Sequence, residues 1–291
     1  MSNKPDIESL AQKRVQQAED SYTSLQRIVR TLQRIAYDAI LDWFDDTIQQ
    51  DDAGKIKFSA GNLSKVQGVF GVIKKFGQSF RAKVLGEILN ETQSIVEANA
   101  GYFENFMDVP DIREAARLET LLRWGYNART GEILAGGYLE NIFQSAEVGQ
   151  RVASLVNDAI SRKVGLKEFR GIFRGVFIGK PGAGMIESRF NQVTYDLYQR
   201  FDRTANLIYA NRLKLDNAVY SGTLIDTSRH QCVKTVGKVL SREQIVKWGN
   251  ESFTGKPLIY DPFVDCAGIR CRHHWSWVTD EMAKNFTRYE G

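Results

Sequence analysis

The sequence lacks the features that mark membrane-spanning, secreted and disulfide-rich proteins. It has no run of about 20 uncharged apolar residues, the length that a helix needs to cross a bilayer. Its first six residues are polar and do not form the apolar core of a signal peptide. Three cysteines in 291 residues are too few for a disulfide framework, and five prolines argue against a long disordered linker. We therefore expect no membrane partner, and the cysteines suit a reducing compartment or a metal site.

The composition is that of an ordinary globular protein, with 43% hydrophobic and 25% charged residues. A chain of 291 residues can bury a sizeable core, and its length suits two domains or one domain with extensions. The net charge of +4 is small but uneven, because the basic excess lies within residues 151–220. An acidic block without any basic residue lies at 38–52 and contains Asp38, Asp42, Asp45, Asp46, Asp51 and Asp52.

A basic cluster in the middle of the chain is a candidate contact for phosphates or for an acidic partner. Its members are Arg162, Lys163, Lys167, Arg170 and Arg174. Such groups bind nucleic acid without sequence preference. We favour the acidic block of the same or a neighbouring chain as their partner, because the basic excess is small for a dedicated DNA surface. A solvated helix face also fits this pattern, since interleaved aromatic residues and a nucleic-acid motif are missing.

The first two-thirds of the chain are predicted to be mostly helical. Apolar residues from Leu25 to Trp43 recur at steps of three and four, which places them on one helical face. A second long pattern runs from Leu63 to Ile95, with Asn62 as the expected N-cap, and a later helix is expected at about 187–213. Long helices of this kind usually pair as a hairpin or bundle. Aromatic residues on them are expected to offer an apolar face to a protein partner: Trp43, Phe44, Phe70, Phe76 and Phe80.

After Lys214 the helical period fades and short apolar runs alternate with turn residues, which predicts a small α+β module. Ser241 is expected to cap a short helix inside it. The sequence therefore predicts a mainly α protein in which long N-terminal helices precede a Cys/His-containing module. The expected regions are a long-helix docking region at 1–130, a helical basic region at 131–213 and the α+β module at 214–291.

All the histidines and cysteines lie inside this module, at His230, Cys232, Cys266, Cys271, His273 and His274. Thiolate and imidazole are ligands that zinc prefers, and a tetrahedral structural site needs four of them. Cys232, Cys266, Cys271 and either His273 or His274 supply that number, so a structural zinc ion is one interpretation and no other cofactor is indicated. Buried free cysteines with a structural histidine are the other interpretation, because no Cys-x-x-Cys hairpin is present.

Signatures of catalysis are missing, and we expect no enzymatic activity. The chain has no His-Glu-x-x-His helix, no Gly-x-Ser-x-Gly elbow and no pair of glutamates two residues apart. The alternative function is a metal-dependent enzyme that acts on nucleic acid or nucleotide. A catalytic zinc keeps one position for water, so three protein ligands with Asp226 or Asp265 at the opening would favour that alternative. Closed coordination, or a packed cluster without metal, would favour a structural role.

The order of short motifs in the last third resembles a known family. The motifs are Asp202-Arg203-Thr204-Ala205-Asn206, Tyr220-Ser221-Gly222, Asp226-Thr227-Ser228-Arg229 with Cys232 three residues on, Gly237-Lys238-Val239, Trp248-Gly249 and Cys271-Arg272-His273. In this order they resemble the minor head proteins of tailed bacteriophages, the head morphogenesis proteins called Mu F-like. The resemblance covers about residues 196–278. The additional Cys266 departs from the family pattern and leaves the ligand set open.

The resemblance implies a structural virion protein, a minor capsid protein inside the head near the portal that resides in the host cytoplasm during assembly. Its implied partners are the portal, other head proteins and packaged DNA bound without sequence specificity, and its implied roles are head assembly and DNA packaging or exit. The signature residues carried over to this chain are Asp226, Arg229, Cys232, Cys271, Arg272 and His273. An ion pair between Asp226 and Arg229 is expected, and the sulfur atoms of Cys232 and Cys271 should lie within about 10 Å.

Overall fold

The computed structural model describes residues 6–143, 146–179, 184–194 and 196–290. The prediction of a mainly α protein is confirmed: 64% of the structure is helical, long helices come first and a small sheet module with Cys and His residues follows. Among the described residues, none of the helices combines the length and the apolar character that crossing a bilayer requires.

Two compact units are assembled from segments that interleave along the chain. Unit 1 comprises Met1–Tyr22, Leu89–Gly137 and Thr194–Gly291. Unit 2 comprises Thr23–Ile88 and Tyr138–Val193. Helices α1 (Ile7–Thr47) and α3 (Gly68–Glu104) supply residues to both units. The three consecutive regions expected from the sequence stay a prediction.

The region between α1 and α3 corrects one predicted cap. Helix α2 (Ala60–Lys65) is capped by Ser59, whose hydroxyl accepts a hydrogen bond from the backbone N–H of Asn62 at 3.1 Å. Asn62 itself is buried inside the helix, and its amide donates to the carbonyls of Gln49 and Lys57 at 2.9 and 2.7 Å. Both residues are good N-caps, and Ser59 is preferred because Asn62 is used to hold the preceding loop.

Unit 2 is built around a stack of aromatic rings. Its further helices are α5 (Tyr138–Phe143), α6 (Ala146–Ser161), α7 (Leu166–Arg174), a π-helix (Gly175–Gly179) and α8 (Met185–Thr194). Phe169, Phe173 and Phe177 recur every fourth residue, and neighbouring rings lie 5.6 and 5.2 Å apart. Phe44 of α1 stacks on Phe169 at 4.1 Å, and Phe80 of α3 meets Phe190 edge-on. Phe44 and Phe80 are therefore buried, so the prediction that they face a partner is wrong.

Unit 1 carries a four-stranded sheet in the order β5-β3-β4-β6, in which only the β4–β6 pair is parallel. Its strands are β3 (Asn217–Ser221), β4 (Lys238–Ser241), β5 (His274–Val278) and β6 (Thr287–Arg288), and a small hairpin joins β1 (Tyr126–Asn127) to β2 (Glu132–Ile133). Its helices are α4 (Arg113–Arg123), α9 (Leu197–Arg212), α10 (His230–Thr235), α11 (Arg242–Asn250), α12 (Pro262–Asp265) and α13 (Asp280–Ala283).

Two local predictions have opposite outcomes. Ser241 caps α11 as expected, and with Gln244 it forms a reciprocal capping box. The single helix expected at about 187–213 is instead two helices, because α8 ends at Thr194 and α9 begins at Leu197. The apolar period continues through this break, so periodicity alone does not reveal it.

Strand β5 lies at one edge of the sheet, yet all five of its residues are buried. Carbonyls at this edge accept hydrogen bonds from side chains of unit 1 helices. Arg14 donates to the carbonyl of Trp275 at 3.4 Å, and Tyr102 donates to that of Trp277 at 3.0 Å. Burying an edge strand requires such partners, because an unpaired backbone carbonyl away from water is destabilising. His274 begins this strand and His273 precedes it, so one end of β5 lies at the candidate site.

Candidate functional site

Three ligand-type side chains meet in the interior of unit 1. Cys232 lies in α10, Cys271 follows α12, and His273 immediately precedes β5. Their ligand atoms all lie within 4.8 Å of one another, and each residue is at most 4% exposed. The predicted approach of Cys232 and Cys271 is therefore confirmed, although 38 residues separate them in the sequence. We call this group the Cys/His cluster.

Tyr220 of β3 completes the surroundings of this cluster. Its hydroxyl lies 3.6 Å from the sulfur of Cys232 and 3.5 Å from that of Cys271. Nδ1 of His273 is 3.7 Å from the same Cys271 sulfur, and the imidazole stacks on the Tyr220 ring with centroids 5.3 Å apart. Burial, followed by the negative charge of the neighbouring cysteines, raises the pKa of Tyr220 well above its usual value. The phenol is therefore a neutral hydrogen-bonding group.

The two cluster cysteines differ in acidity. The hydrogen bond between their sulfur atoms lowers the pKa of Cys271 well below its usual value, and His273, Arg203 and Tyr220 act in the same direction against burial. The same hydrogen bond, together with burial, raises the pKa of Cys232. Cys271 is therefore the more acidic of the two thiols.

Gly222 explains why the chain can bring His273 this close. It has a φ of +142°, and a Cβ at this position would lie 2.8 Å from Cδ2 of His273. The β3–β5 pairing places Ser221 opposite His274, so the residues after Ser221 pass beside His273. Only glycine fits both the backbone conformation and the space. Packing thus explains both ends of the Tyr220-Ser221-Gly222 motif: Tyr220 contacts the cysteine sulfur atoms, and Gly222 leaves room for His273.

Arg203 of α9 binds backbone carbonyls of the Cys271 segment. Its guanidinium donates to the carbonyl of Cys271 at 2.5 Å and to that of Val264 at 3.2 Å. Arg203 is 3% exposed and forms no ion pair with any carboxylate of the described chain. A buried guanidinium is stable only when it is well hydrogen-bonded, so these carbonyls must stay in place.

The Asp202–Asn206 segment of α9, the α9 motif, has other polar residues that link further segments of unit 1. Asp202 is fully buried, lies 3.6 Å from Nε of Arg14 and accepts a hydrogen bond from Asn99 at 3.0 Å. Asn206 donates to the same Asn99 side chain at 2.9 Å. Thr204 accepts a hydrogen bond from the indole of Trp124 at 3.1 Å. One turn and a half of α9 therefore binds segments from α1, α3 and the end of α4.

Arg229 does not form the ion pair with Asp226 that the sequence led us to expect, although both residues are described. It donates instead to the carbonyls of Thr254 and Ile269, at 2.9 and 2.6 Å. Asp226 is exposed. The planar guanidinium can reach two carbonyls at once, and these contacts hold two loops together, whereas an exposed ion pair contributes little stability.

Cys266 and His274, which belonged to the predicted ligand set, lie outside the Cys/His cluster. Cys266 is buried at the end of α12 with a φ of +51°. His274 follows His273 in an extended chain, where successive side chains point to opposite faces of the sheet. It lines a cavity of about 450 Å³ whose wall also includes Arg272, Tyr220, Glu8 and Glu19. The metal role of the whole predicted set stays a prediction.

His274 is buried in the wall of that cavity. Both of its ring nitrogens are inaccessible and make no hydrogen bond with the described residues. Burial, followed by the positive charges of Arg14 and Arg203, lowers the pKa of His274 well below its usual value. The ring is therefore neutral, because burial away from water disfavours the charged imidazolium.

The acids expected beside a catalytic zinc are not at the cluster. Asp226 is exposed, and Asp265 is buried beside Arg200, with the two side chains 3.1 Å apart. Asp265 also accepts a hydrogen bond from the backbone of Asp261 at 2.9 Å. No carboxylate belongs to the group of ligand atoms found among the described residues.

The predicted basic cluster lies in unit 2 and is exposed at all five positions. On α7, Lys167, Arg170 and Arg174 point outward while Phe169 and Phe173 are buried. Arg170 forms an ion pair with Asp45, a member of the acidic block of the same chain. The expected pairing with the acidic block is therefore present for one residue.

Two residues of the site, Tyr220 and Arg203, were absent from the predicted ligand set. Both belong to the motifs that carry the family resemblance, so their place in those motifs was the available signal. Comparison with known proteins adds no relative: no protein-family model, curated protein or solved structure matches this chain. The observations that bear on function are therefore the motifs and the geometry.

Proposed function

We propose that this chain is a structural minor head protein of a tailed phage, located inside the head near the portal and acting in head assembly and in DNA packaging or exit. The proposal starts from the motif order of the last third. The observation that supports it most is that most of the motif residues are buried and bind one another or backbone groups, whereas Asp226 and Arg272 are exposed. Such residues stabilise a fold, and they are not arranged around an exposed substrate.

The main alternative is a metal-dependent enzyme that acts on nucleic acid or nucleotide. One observation favours it, because three Cys or His donors is the number that catalytic zinc sites use. Against it, all three donors are buried, the Tyr220 hydroxyl lies close to both sulfur atoms, and the candidate acids are elsewhere. A catalytic zinc needs an open position for water, so this geometry favours the structural role.

We assign the contact with a protein partner such as the portal or another head protein to the long helices of unit 2, although unit 1 also exposes large apolar side chains, Leu258 and Ile259 among them. Phe44 and Phe80 are buried, but other apolar side chains of this unit are half exposed, namely Ile35, Phe58, Leu63 and Phe70. Exposed apolar residues of this size are a common feature of docking surfaces. The basic face of α7 is a second contact, which would meet packaged DNA or acidic protein segments.

The experiment is complementation of a phage that lacks this gene, with quantitative mass spectrometry of purified heads. We expect the wild-type chain in heads at few copies. The double variant Ile35→Asp and Phe58→Asp should fold normally and be lost from heads, because both side chains are at least half exposed. The matched control is Val246→Asp, an exposed apolar residue of α11 in unit 1, which should be incorporated normally. Heads that form and eject DNA without the chain would refute the proposal.

A further inference from the structure

We propose that the Cys/His cluster binds one zinc ion, with Cys232 Sγ, Cys271 Sγ and His273 Nδ1 as ligands and the Tyr220 hydroxyl at the fourth corner. This set differs from the one predicted from the sequence, because it leaves out Cys266 and His274 and includes a tyrosine. The inference concerns the residues of the cluster alone. It does not depend on the proposed role in phage heads.

The distances in the cluster match the edges of a zinc coordination tetrahedron. Zinc binds sulfur at about 2.3 Å and nitrogen or oxygen at about 2.0–2.2 Å, so the ligand atoms of a tetrahedral site lie about 3.4–3.8 Å apart. Three edges of the cluster are 3.7 Å from Cys271 to His273, 3.6 Å from Tyr220 to Cys232 and 3.5 Å from Tyr220 to Cys271. The three ligand atoms of Cys232, Cys271 and His273 are all within 4.8 Å. A zinc ion at their centre therefore requires only small side-chain shifts.

The positions of the donors in the chain also suit a structural metal. Cys271 and His273 are separated by one residue and can act as a local chelate, while Cys232 comes from α10 and Tyr220 from β3. An ion held by all four would join three segments of the module. Such a link stabilises the module, because the binding free energy is added to the free energy of folding.

The surroundings fix the ligands in position before any metal arrives. Arg203 donates to the carbonyl of Cys271, and Gly222 leaves space for the His273 ring to stack on Tyr220. Contacts of this kind orient metal ligands, and their loss typically lowers metal affinity by about 10–100-fold. The buried neighbours Cys266 and His274 lack this arrangement, so the chain provides its own matched controls.

The test is metal analysis of the full-length protein after reconstitution with zinc sulfate and removal of loose metal. We expect about one zinc per chain in the wild type and in Cys266→Ser, and almost none in Cys232→Ser and Cys271→Ser. Zinc should raise the melting temperature of the wild type, and a chelator should reverse that change. A wild type without zinc, or a Cys232→Ser variant that retains it, would overturn the inference.

Two further measurements keep the inference testable if the serine variants fail to fold. Cobalt(II) added to the wild type should give the thiolate charge-transfer band of a tetrahedral site, and its absence would contradict the ligand set. Tyr220→Phe should still bind zinc, with an affinity lower by about tenfold or more. An unchanged zinc affinity would show that the Tyr220 hydroxyl is not the fourth ligand.

These results are separable from the test of the proposed function. A protein found in heads but free of zinc after reconstitution would refute the metal site alone. A zinc-loaded protein that heads neither contain nor need would refute the head-protein role alone.

Discussion

The interior of unit 1 and the interior of unit 2 are stabilised by different kinds of contact. In unit 2, aromatic rings from α1 and α7 stack at 4.1–5.6 Å, and the exposed Arg170 of α7 forms an ion pair with Asp45 at the surface. In unit 1, a buried ion pair, asparagine bridges and the Cys/His cluster connect segments far apart in the chain. Stacked apolar rings tolerate exchange for residues of similar volume, whereas buried polar contacts require one residue type. We therefore expect unit 1 to be far more sensitive to conservative substitution.

The largest effect is expected at Asp202. In Asp202→Ala, Arg14 remains buried without its carboxylate, and removing one partner of a buried pair typically destabilises by about 3–5 kcal/mol. Urea denaturation should show this loss, and the variant should be poorly soluble if the native state becomes minor. The control is Asp111→Ala, whose ion pair with Arg113 is largely exposed and should change stability by no more than about 0.5 kcal/mol. Equal losses in both variants would contradict the structural role of the buried network.

A second prediction compares two glycines of unit 1 that both have positive φ. Gly222→Ala places a Cβ 2.8 Å from His273 and should cost about 2–3 kcal/mol, with loss of the His273–Tyr220 stack. Gly237→Ala has no atom within 4 Å of the new Cβ and should cost only about 1–2 kcal/mol of backbone strain. Thermal unfolding of the two proteins measures the difference. A smaller loss at Gly222 than at Gly237 would show that the close approach of His273 is not required.

A third prediction tests tolerance in unit 2. Phe173 is buried and stacks on Tyr37 at 5.4 Å and on Phe177 at 5.2 Å. Phe173→Leu keeps an apolar side chain of similar volume, so we expect a loss of about 1.5 kcal/mol or less in urea denaturation. A loss as large as that of Asp202→Ala would remove the contrast between the two units.

The smallest effect is expected at the exposed ion pair of unit 2. Arg170→Ala removes the contact with Asp45, and an exposed pair of this kind contributes about 0–1 kcal/mol. If α7 also contacts DNA, the variant should bind DNA more weakly, and the slope of log affinity against log salt should fall by about 0.9 for each lost phosphate contact. Binding measured at several salt concentrations separates the two roles. An unchanged slope together with defective head assembly would assign Arg170 to protein contacts.

The same contrast explains what could be predicted from the sequence. The apolar period predicted the long helices, because it reports directly which face of a helix is buried. The serine before α11 predicted the N-cap of that helix for a similar local reason, while the reciprocal contact from Gln244 was seen only in the structure. The approach of Cys232 to Cys271 was predicted from motif order, since both stand in one small module.

Two kinds of contact could not be predicted from the sequence: those that depend on which way a side chain points, and those in which several groups compete for one side chain. His273 and His274 are adjacent and chemically identical, and only the strand geometry decides which one faces the cluster. Asp226 and Arg229 stand at a spacing that suits an ion pair, yet carbonyls of two distant loops bind the arginine instead. Such outcomes depend on which segments the fold brings together, and no local pattern in the sequence encodes this.

The most direct test of the account is native-state hydrogen exchange of the wild type and of Cys232→Ser, followed by mass spectrometry of peptides from α9, β5 and α7. If the Cys/His cluster and the α9 motif hold unit 1 together, α9 and β5 of the wild type exchange only through global unfolding, and Cys232→Ser greatly accelerates their exchange while α7 changes little. Unchanged protection of α9 and β5 in Cys232→Ser, or an equal loss in α7, would contradict it.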